Sequence, residues 1–230
     1  MFQHVRPGDP TKALSEDFTE SSQQYLSRTR RVLILRSLVV GVPHRFDQFS
    51  PAVVMDDMLA MVHEDPTAPI TLIIDSPGGN IDDGMMLYDF IRLSPAPVTT
   101  VGLNCASMAT VLLAAGKTRL ILPHSSLCLH MLMATVKGDI KDVQIRTKEL
   151  ERTMEELVSC YIKCGVTAAI GVPASTRKRP LSAAELVKRI RAKILKDIDR
   201  EFYLNAEEAV AYGLVDRVVT TEELFGRDVT

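Results

Sequence analysis

Apolar residues along this chain alternate between short continuous runs and the three-and-four spacing of a buried helix face. Residues 32–40 form the first strand-like run. Ser50 then stands where an N-cap belongs, with Pro51 at the first helical position and Val54, Met55, Met58, Leu59 and Val62 spaced to face inward. A buried-strand run at 70–75 leads through a glycine turn to a helical pattern over 81–93. The alternation continues with a strand at 98–103, a small-residue helix at 106–115 and strands at 120–122 and 127–133. Ile140, Val143, Leu150, Met154, Leu157 and Tyr161 mark a long amphipathic helix over 140–163. Residues 165–180, rich in Gly, Pro and basic or hydroxyl side chains, predict an exposed loop, and a basic helix follows at 181–195. Asn205 and Glu208 have capping-box spacing for a helix ending at Gly213, before a last strand at 214–219. Strand-then-helix alternation predicts an α/β fold, preceded by a polar, flexible arm over residues 1–28.

Composition narrows the function. A chain of 230 residues with 46% hydrophobic and 24% charged residues fits one core-forming domain. A net charge of -2 lacks the basic footprint of a nucleic-acid binder. Cys105, Cys128, Cys160 and Cys164 have no paired CxxC spacing, so neither a disulfide framework nor a metal site is expected, and a reducing compartment fits. No apolar run reaches the roughly 20 residues of a membrane span. The first residues lack a signal peptide's apolar stretch and carry Asp9, Glu16, Asp17 and Glu20, unlike a transit peptide. The expectation is a soluble cytoplasmic protein, with an organelle matrix or stroma as the alternative.

Two turns joining strands to helices carry the candidate chemistry. In Asp75-Ser76-Pro77-Gly78-Gly79-Asn80 the proline sets one backbone angle and the glycines let the chain turn with exposed amides. In Asn104-Cys105-Ala106-Ser107-Met108-Ala109 the serine stands at a helix start, where free N–H groups favour an anion. If the turns are neighbours, the Gly79 and Met108 amides can hold an oxyanion. Taken alone, Ser107 is more often a simple N-cap, and the glycine turn a strand terminator. His130 sits in the apolar run Leu127-Cys128-Leu129-His130-Met131-Leu132-Met133, where an imidazole needs a partner. A satisfied core histidine is the commoner reading of such a position. His4, His44, His63 and His124 occupy less informative places. Asp197, Asp199 and Glu201 are the acids available to orient the imidazole, and spacing alone does not choose among them.

In order and spacing, the segments IDSPGGNIDDGMMLYD, ASM with LLAAG, LPHSSLCLH, GDIKDVQI with KELE, and DREFYLNAEEAVAYGLVD resemble the proteolytic subunit family of the Clp protease, ClpP. The resemblance implies a ClpP/crotonase-like α/β fold of strand–strand–helix repeats with a protruding handle helix, over a peptidase domain at 29–230. It implies Ser107 as nucleophile, His130 as base, and Gly79 and Met108 as oxyanion-hole positions. The family's acid falls at Glu201, a glutamate where an aspartate is usual, with Asp199 as the alternative. Asp199 and Arg200 match a pair used between rings. The usual Gln-Pro after the histidine is Met131-Leu132, the glycines of the adjoining strand are Ala134 and Thr135, and two aromatic docking positions fall at Thr71 and Ile73. Residues 165–180, including Arg177-Lys178-Arg179, look like an insertion. The family builds two stacked heptameric rings of identical or paralogous subunits and receives unfolded chains from an AAA+ unfoldase. That partner uses the ATP, and no cofactor or metal is implied on this chain. Neither nucleic acid nor membrane is an implied partner. The expected function is endopeptidase action on unfolded polypeptides. The alternatives are a silent structural subunit of a mixed ring and an acyl-CoA enzyme of the crotonase branch.

Overall fold

The computed structural model describes residues 27, 30–36, 38, 50–170 and 182–220. Apart from Ser27, the arm expected over 1–28 lies outside the described residues, as do positions 171–181, which include most of the expected loop and Arg177-Lys178-Arg179. Along the chain come β1 (Val32–Leu35), α1 (Pro51–Glu64), β2 (Ile70–Ser76), α2 (Ile81–Leu93), β3 (Val98–Ala106), α3 (Met108–Ala115) and β4 (Thr118–Ile121). They are followed by β5 (Leu127–Leu129), α4 (Ile140–Lys163), α5 (Ala183–Asp197), β6 (Phe202–Leu204), α6 (Ala206–Tyr212) and β7 (Arg217–Val218).

Five strands form a parallel path in the order β1-β2-β3-β4-β7. Parallel neighbours need crossover connections, which is why helices separate the successive strands β1 to β4. β3 serves two partners. Thr99 to Gly102 pair with β4, and Cys105 and Ala106 pair with β5. Its last residue therefore leads straight into Ser107 at a fork in the sheet. β5 pairs antiparallel with β6, in the register Leu127↔Leu204, Cys128↔Tyr203 and Leu129↔Phe202. Along β2, Ile70, Leu72, Ile74 and Ser76 are buried and the residues between them are half-buried, so one sheet face carries the main core. Ile73, on the other face, joins a small cluster with Val101, Leu120, Leu122 and Val219.

Most predicted elements are present, and the differences have local causes. In α1, Ser50 Oγ accepts from the Val53 N–H as an N-cap, but Met61 is buried where Leu59 had been expected, and Leu59 is exposed. The strand expected over 127–133 stops at Leu129 because its antiparallel partner β6 is only three residues long. His130 thus lies one position beyond the paired strand. Residues 165–170 are irregular as expected but only partly exposed, since Val166 and Ala168 are buried and the Thr167 N–H donates to the Tyr212 carbonyl at 3.3 Å. α6 starts with the expected reciprocal box, both Asn205–Glu208 bonds being 2.9 Å, and ends at Gly213 in the left-handed region.

α4 is capped by Asp139, whose Oδ1 accepts from the N–H groups of Lys141 and Asp142. Its second half buries Met154, Leu157, Val158, Cys160 and Tyr161, and α5 packs alongside through an ion pair between Arg191 and Glu155. The apolar stripe read along the whole helix is only half covered. Ile140 is 79% and Ile145 66% exposed.

Candidate active site

Sequence separates the two turns by almost thirty residues, and the β2–β3 pairing brings them together. A Cβ built on Gly78 would lie 2.7 Å from Ser107 Cβ, 2.7 Å from the Ala106 carbonyl oxygen and 3.1 Å from the Met108 nitrogen. Gly78, at φ +87°, is therefore required twice over, for its backbone angle and for the missing side chain. The Ser76 hydroxyl accepts from the Gly78 N–H at 3.2 Å and stabilises the turn from inside.

Ser107 is not the capping serine that its position suggests. Its φ of 55° and ψ of -128° put a non-glycine residue in a sparsely occupied backbone region, and its side chain makes no cap hydrogen bond. Such strain costs about 1–3 kcal/mol and persists only where surroundings enforce it. Here they do. The Ser107 N–H donates to the Cys128 carbonyl at 2.8 Å, and its own carbonyl accepts from the Thr110 N–H at 3.0 Å and the Thr110 hydroxyl at 2.6 Å. With the Thr110 proton committed there, the buried Tyr161 hydroxyl donates to Thr110 Oγ1 at 2.6 Å, which ties α4 to the serine turn. Burial pushes the Tyr161 phenol well above its ordinary value, so it stays a donor. The Met108 N–H, first in α3, precedes any intrahelical acceptor.

A cavity of about 270 Å³ holds these groups together, lined by Gly78, Gly79, Ser107, Met108 and His130 with a wall of Val111, Leu132, Met133, Met154, Leu157 and Tyr161. His130 Nδ1–H donates to the Met131 carbonyl at 2.7 Å, because a carbonyl can only accept. Nε2 then carries the lone pair of the neutral ring and is the atom able to take a proton from a hydroxyl.

The three candidate acids have separate fates. Asp197 accepts from Lys193 and, at 3.0 Å, from the Tyr212 hydroxyl. Asp199 and Arg200 are exposed and form a loose pair at 3.7 Å. Glu201 and His130 each lie one position past the last pair of the β5–β6 ladder, Leu129↔Phe202. Both line a second recess of about 440 Å³, which shares Pro77 and His130 with the first, together with Asp75, Cys105, Cys128 and Tyr203. Glu201 Oε2 accepts from the Tyr203 hydroxyl at 3.0 Å. Cys105 is buried, and burial pushes its thiol up to about 12, which makes it a packing residue. Tyr203 and Cys128 are not among the residues singled out from the sequence. The available signal was parity, since each lies two positions from Glu201 or His130 and so shares its strand face.

Both turns lie at the C-terminal ends of neighbouring parallel strands, which defines an α/β protein with its pocket at those ends. The sequence matches the Clp protease family over residues 21–222. It is 31% identical over 194 residues to the ATP-dependent Clp protease proteolytic subunit of Dehalococcoides mccartyi, an alignment covering 83% of this chain and 86% of that one. It is 30% identical over 195 residues to ATP-dependent Clp protease proteolytic subunit 4, chloroplastic, of Arabidopsis thaliana, covering 84% of this chain and 59% of that one. The chain belongs to the Clp protease family. Among the described residues no helix is long and apolar enough to cross a membrane.

Proposed function

We propose that this chain is a serine endopeptidase subunit that hydrolyses unfolded polypeptides inside a compartment fed by an ATP-driven unfoldase. The observation that carries the reading is the strained Ser107, its hydroxyl uncommitted as a cap, in one cavity with His130 and the Gly78-Gly79 turn. In the proposed cycle His130 Nε2 takes the Ser107 proton as Oγ bonds to the substrate carbonyl carbon. The Gly79 and Met108 amides hold the resulting oxyanion, and Glu201 orients the imidazole. Collapse breaks the C–N bond, the imidazolium gives its proton to the departing amine, and water then releases the acyl group from Ser107. No cofactor takes part on this chain; ATP belongs to the partner.

Its names place both relatives in ATP-dependent Clp proteases, which supports an AAA+ unfoldase as partner and stacked heptameric rings of identical or paralogous subunits as the compartment. Thr71 and Ile73 are half-buried and non-aromatic, so unfoldase docking relies on other side chains or on a paralogous subunit. One relative is bacterial and the other chloroplastic, which fits cytoplasm or an organelle interior. A second reading, a silent structural subunit, is favoured by the present partners of the pair: His130 Nδ1 engages a carbonyl and Glu201 a phenol.

Ser107→Ala decides the first point. The purified wild-type chain is expected to be labelled by a fluorophosphonate probe and the variant is not, with native mass unchanged. Labelling retained by Ser107→Ala would reject Ser107 as nucleophile. Peptidase activity that appears only on mixing with a paralogue, with no label on this chain, would establish the structural reading instead.

A further inference from the structure

Glu201 is one methylene longer than the aspartate usual in its family, and a longer side chain needs more to hold its headgroup. The recess behind His130 supplies a holder. β5 and β6 pair Cys128 with Tyr203 and end at Leu129↔Phe202, and the same register carried one step past that last pair would set His130 opposite Glu201. Strand parity sends Tyr203 and Glu201 to one face, where the phenol donates to Glu201 Oε2 at 3.0 Å. That bond occupies a single lone-pair site on Oε2 and leaves Oε1 without a hydrogen-bond partner among the described residues.

We propose that Tyr203 is a positioning residue for the reaction: it pins Oε2 of Glu201 so that Oε1 is presented to the His130 ring. The inference rests on the peptidase reading above. On it, the imidazole exchanges its Nδ1–H bond from the Met131 carbonyl to Oε1 as positive charge develops on the ring. No covalent step is added, and the phenol keeps its proton throughout. Its hydrogen bonds to Glu201 and Cys128 push Tyr203 up to about 12, so it remains a donor over the working range of pH. The other titratable side chains facing the pair are Asp75 from β2, Cys105 from β3 and Cys128 from β5, while Asp199 and Arg200 point to solvent.

Removal of the phenol hydroxyl releases Oε1 from its aim at the ring, so a protonated imidazole loses its anionic partner. The acid-side midpoint of any rate needing neutral His130 then moves to lower pH. Tyr203 is 60% exposed, so deleting one hydroxyl leaves the fold intact.

The test is the pH dependence of fluorophosphonate labelling of Ser107 in the full chain, which needs no unfoldase. Tyr203→Phe is expected to label roughly three- to tenfold more slowly, the worth of one net hydrogen bond, with its acid-side midpoint lowered and its thermal midpoint unchanged. In a Glu201→Asp background, whose headgroup is drawn back from the phenol, adding Tyr203→Phe should change the rate by less than about twofold. A Tyr203→Phe profile that superimposes on that of an actively labelling wild type overturns the inference and leaves the peptidase reading standing. A lowered thermal midpoint with an unmoved pH profile assigns Tyr203 a structural role and overturns it too. No labelling of the wild type at any pH overturns the peptidase reading, and this inference with it.

Discussion

Gly78 shows how little freedom the paired turns have. A methyl group there would contact the Ala106 carbonyl, Ser107 Cβ and the Met108 nitrogen at once, on a backbone angle that L side chains rarely adopt. Gly78→Ala is therefore expected to displace the serine turn by a few tenths of an ångström or more and to slow Ser107 labelling about 10²-fold. Near-wild-type labelling rates would show that the two turns are not coupled. Ser107, His130, Gly79 and Met108 were legible as residues because apolar strands end in turns with unusual chemistry. The acid was not, since Asp197, Asp199 and Glu201 look equivalent along the chain. Their neighbours separate them, namely Lys193 and Tyr212 for Asp197, solvent for Asp199, and the β5–β6 register for Glu201.

Among elements, the end of the sheet depends on Arg119. Its guanidinium pairs with Asp216 at 2.5 Å and donates to the carbonyls of Cys164 and Gly213, joining β4, the end of α4, the α6 terminus and the entry to β7. Burial alone would raise the Asp216 carboxyl, but hydrogen bonds and charge from Arg119 outweigh it and hold it below its ordinary value of 3.8. A depressed carboxylate contributes stability that is full above that ordinary value and is lost as pH falls through the depressed one. Arg119→Met is expected to cost about 2–3 kcal/mol at neutral pH, because it strands carbonyls and a partly exposed carboxylate. Its penalty should shrink below about pH 4, read as converging thermal midpoints of variant and wild type. A penalty constant down to pH 2 would assign it to packing alone. None of these three partners is near Arg119 in sequence, so the tie was invisible there. The helix caps at Ser50 and Asn205 were visible because their partners lie three residues away.

The isolated chain leaves apolar surface uncovered: Leu93 at 81%, Met133 at 82%, and Ile140 and Ile145 on the projecting half of α4. On the proposed ring reading, subunit contacts would cover such residues. On the ring reading, wild type should have a native mass of roughly fourteen subunits, and Ile140→Asp with Ile145→Asp should halve it if the exposed half of α4 forms the contact between rings. An unchanged mass would remove α4 from that contact, and a monomeric wild type would end the compartment reading.

Periodicity and local turn chemistry sufficed for the α/β class and for most elements to within a few residues, and singled out the serine, the histidine and the two turns as candidates. These follow from interactions within a few residues, which a chain carries wherever it folds. Where the 127–133 strand ends, that Ser107 is strained rather than capping, and that Tyr203 donates to Glu201 depended on pairing between distant strands. Register is a property of two segments at once, and a step of one residue turns every side chain to the opposite face.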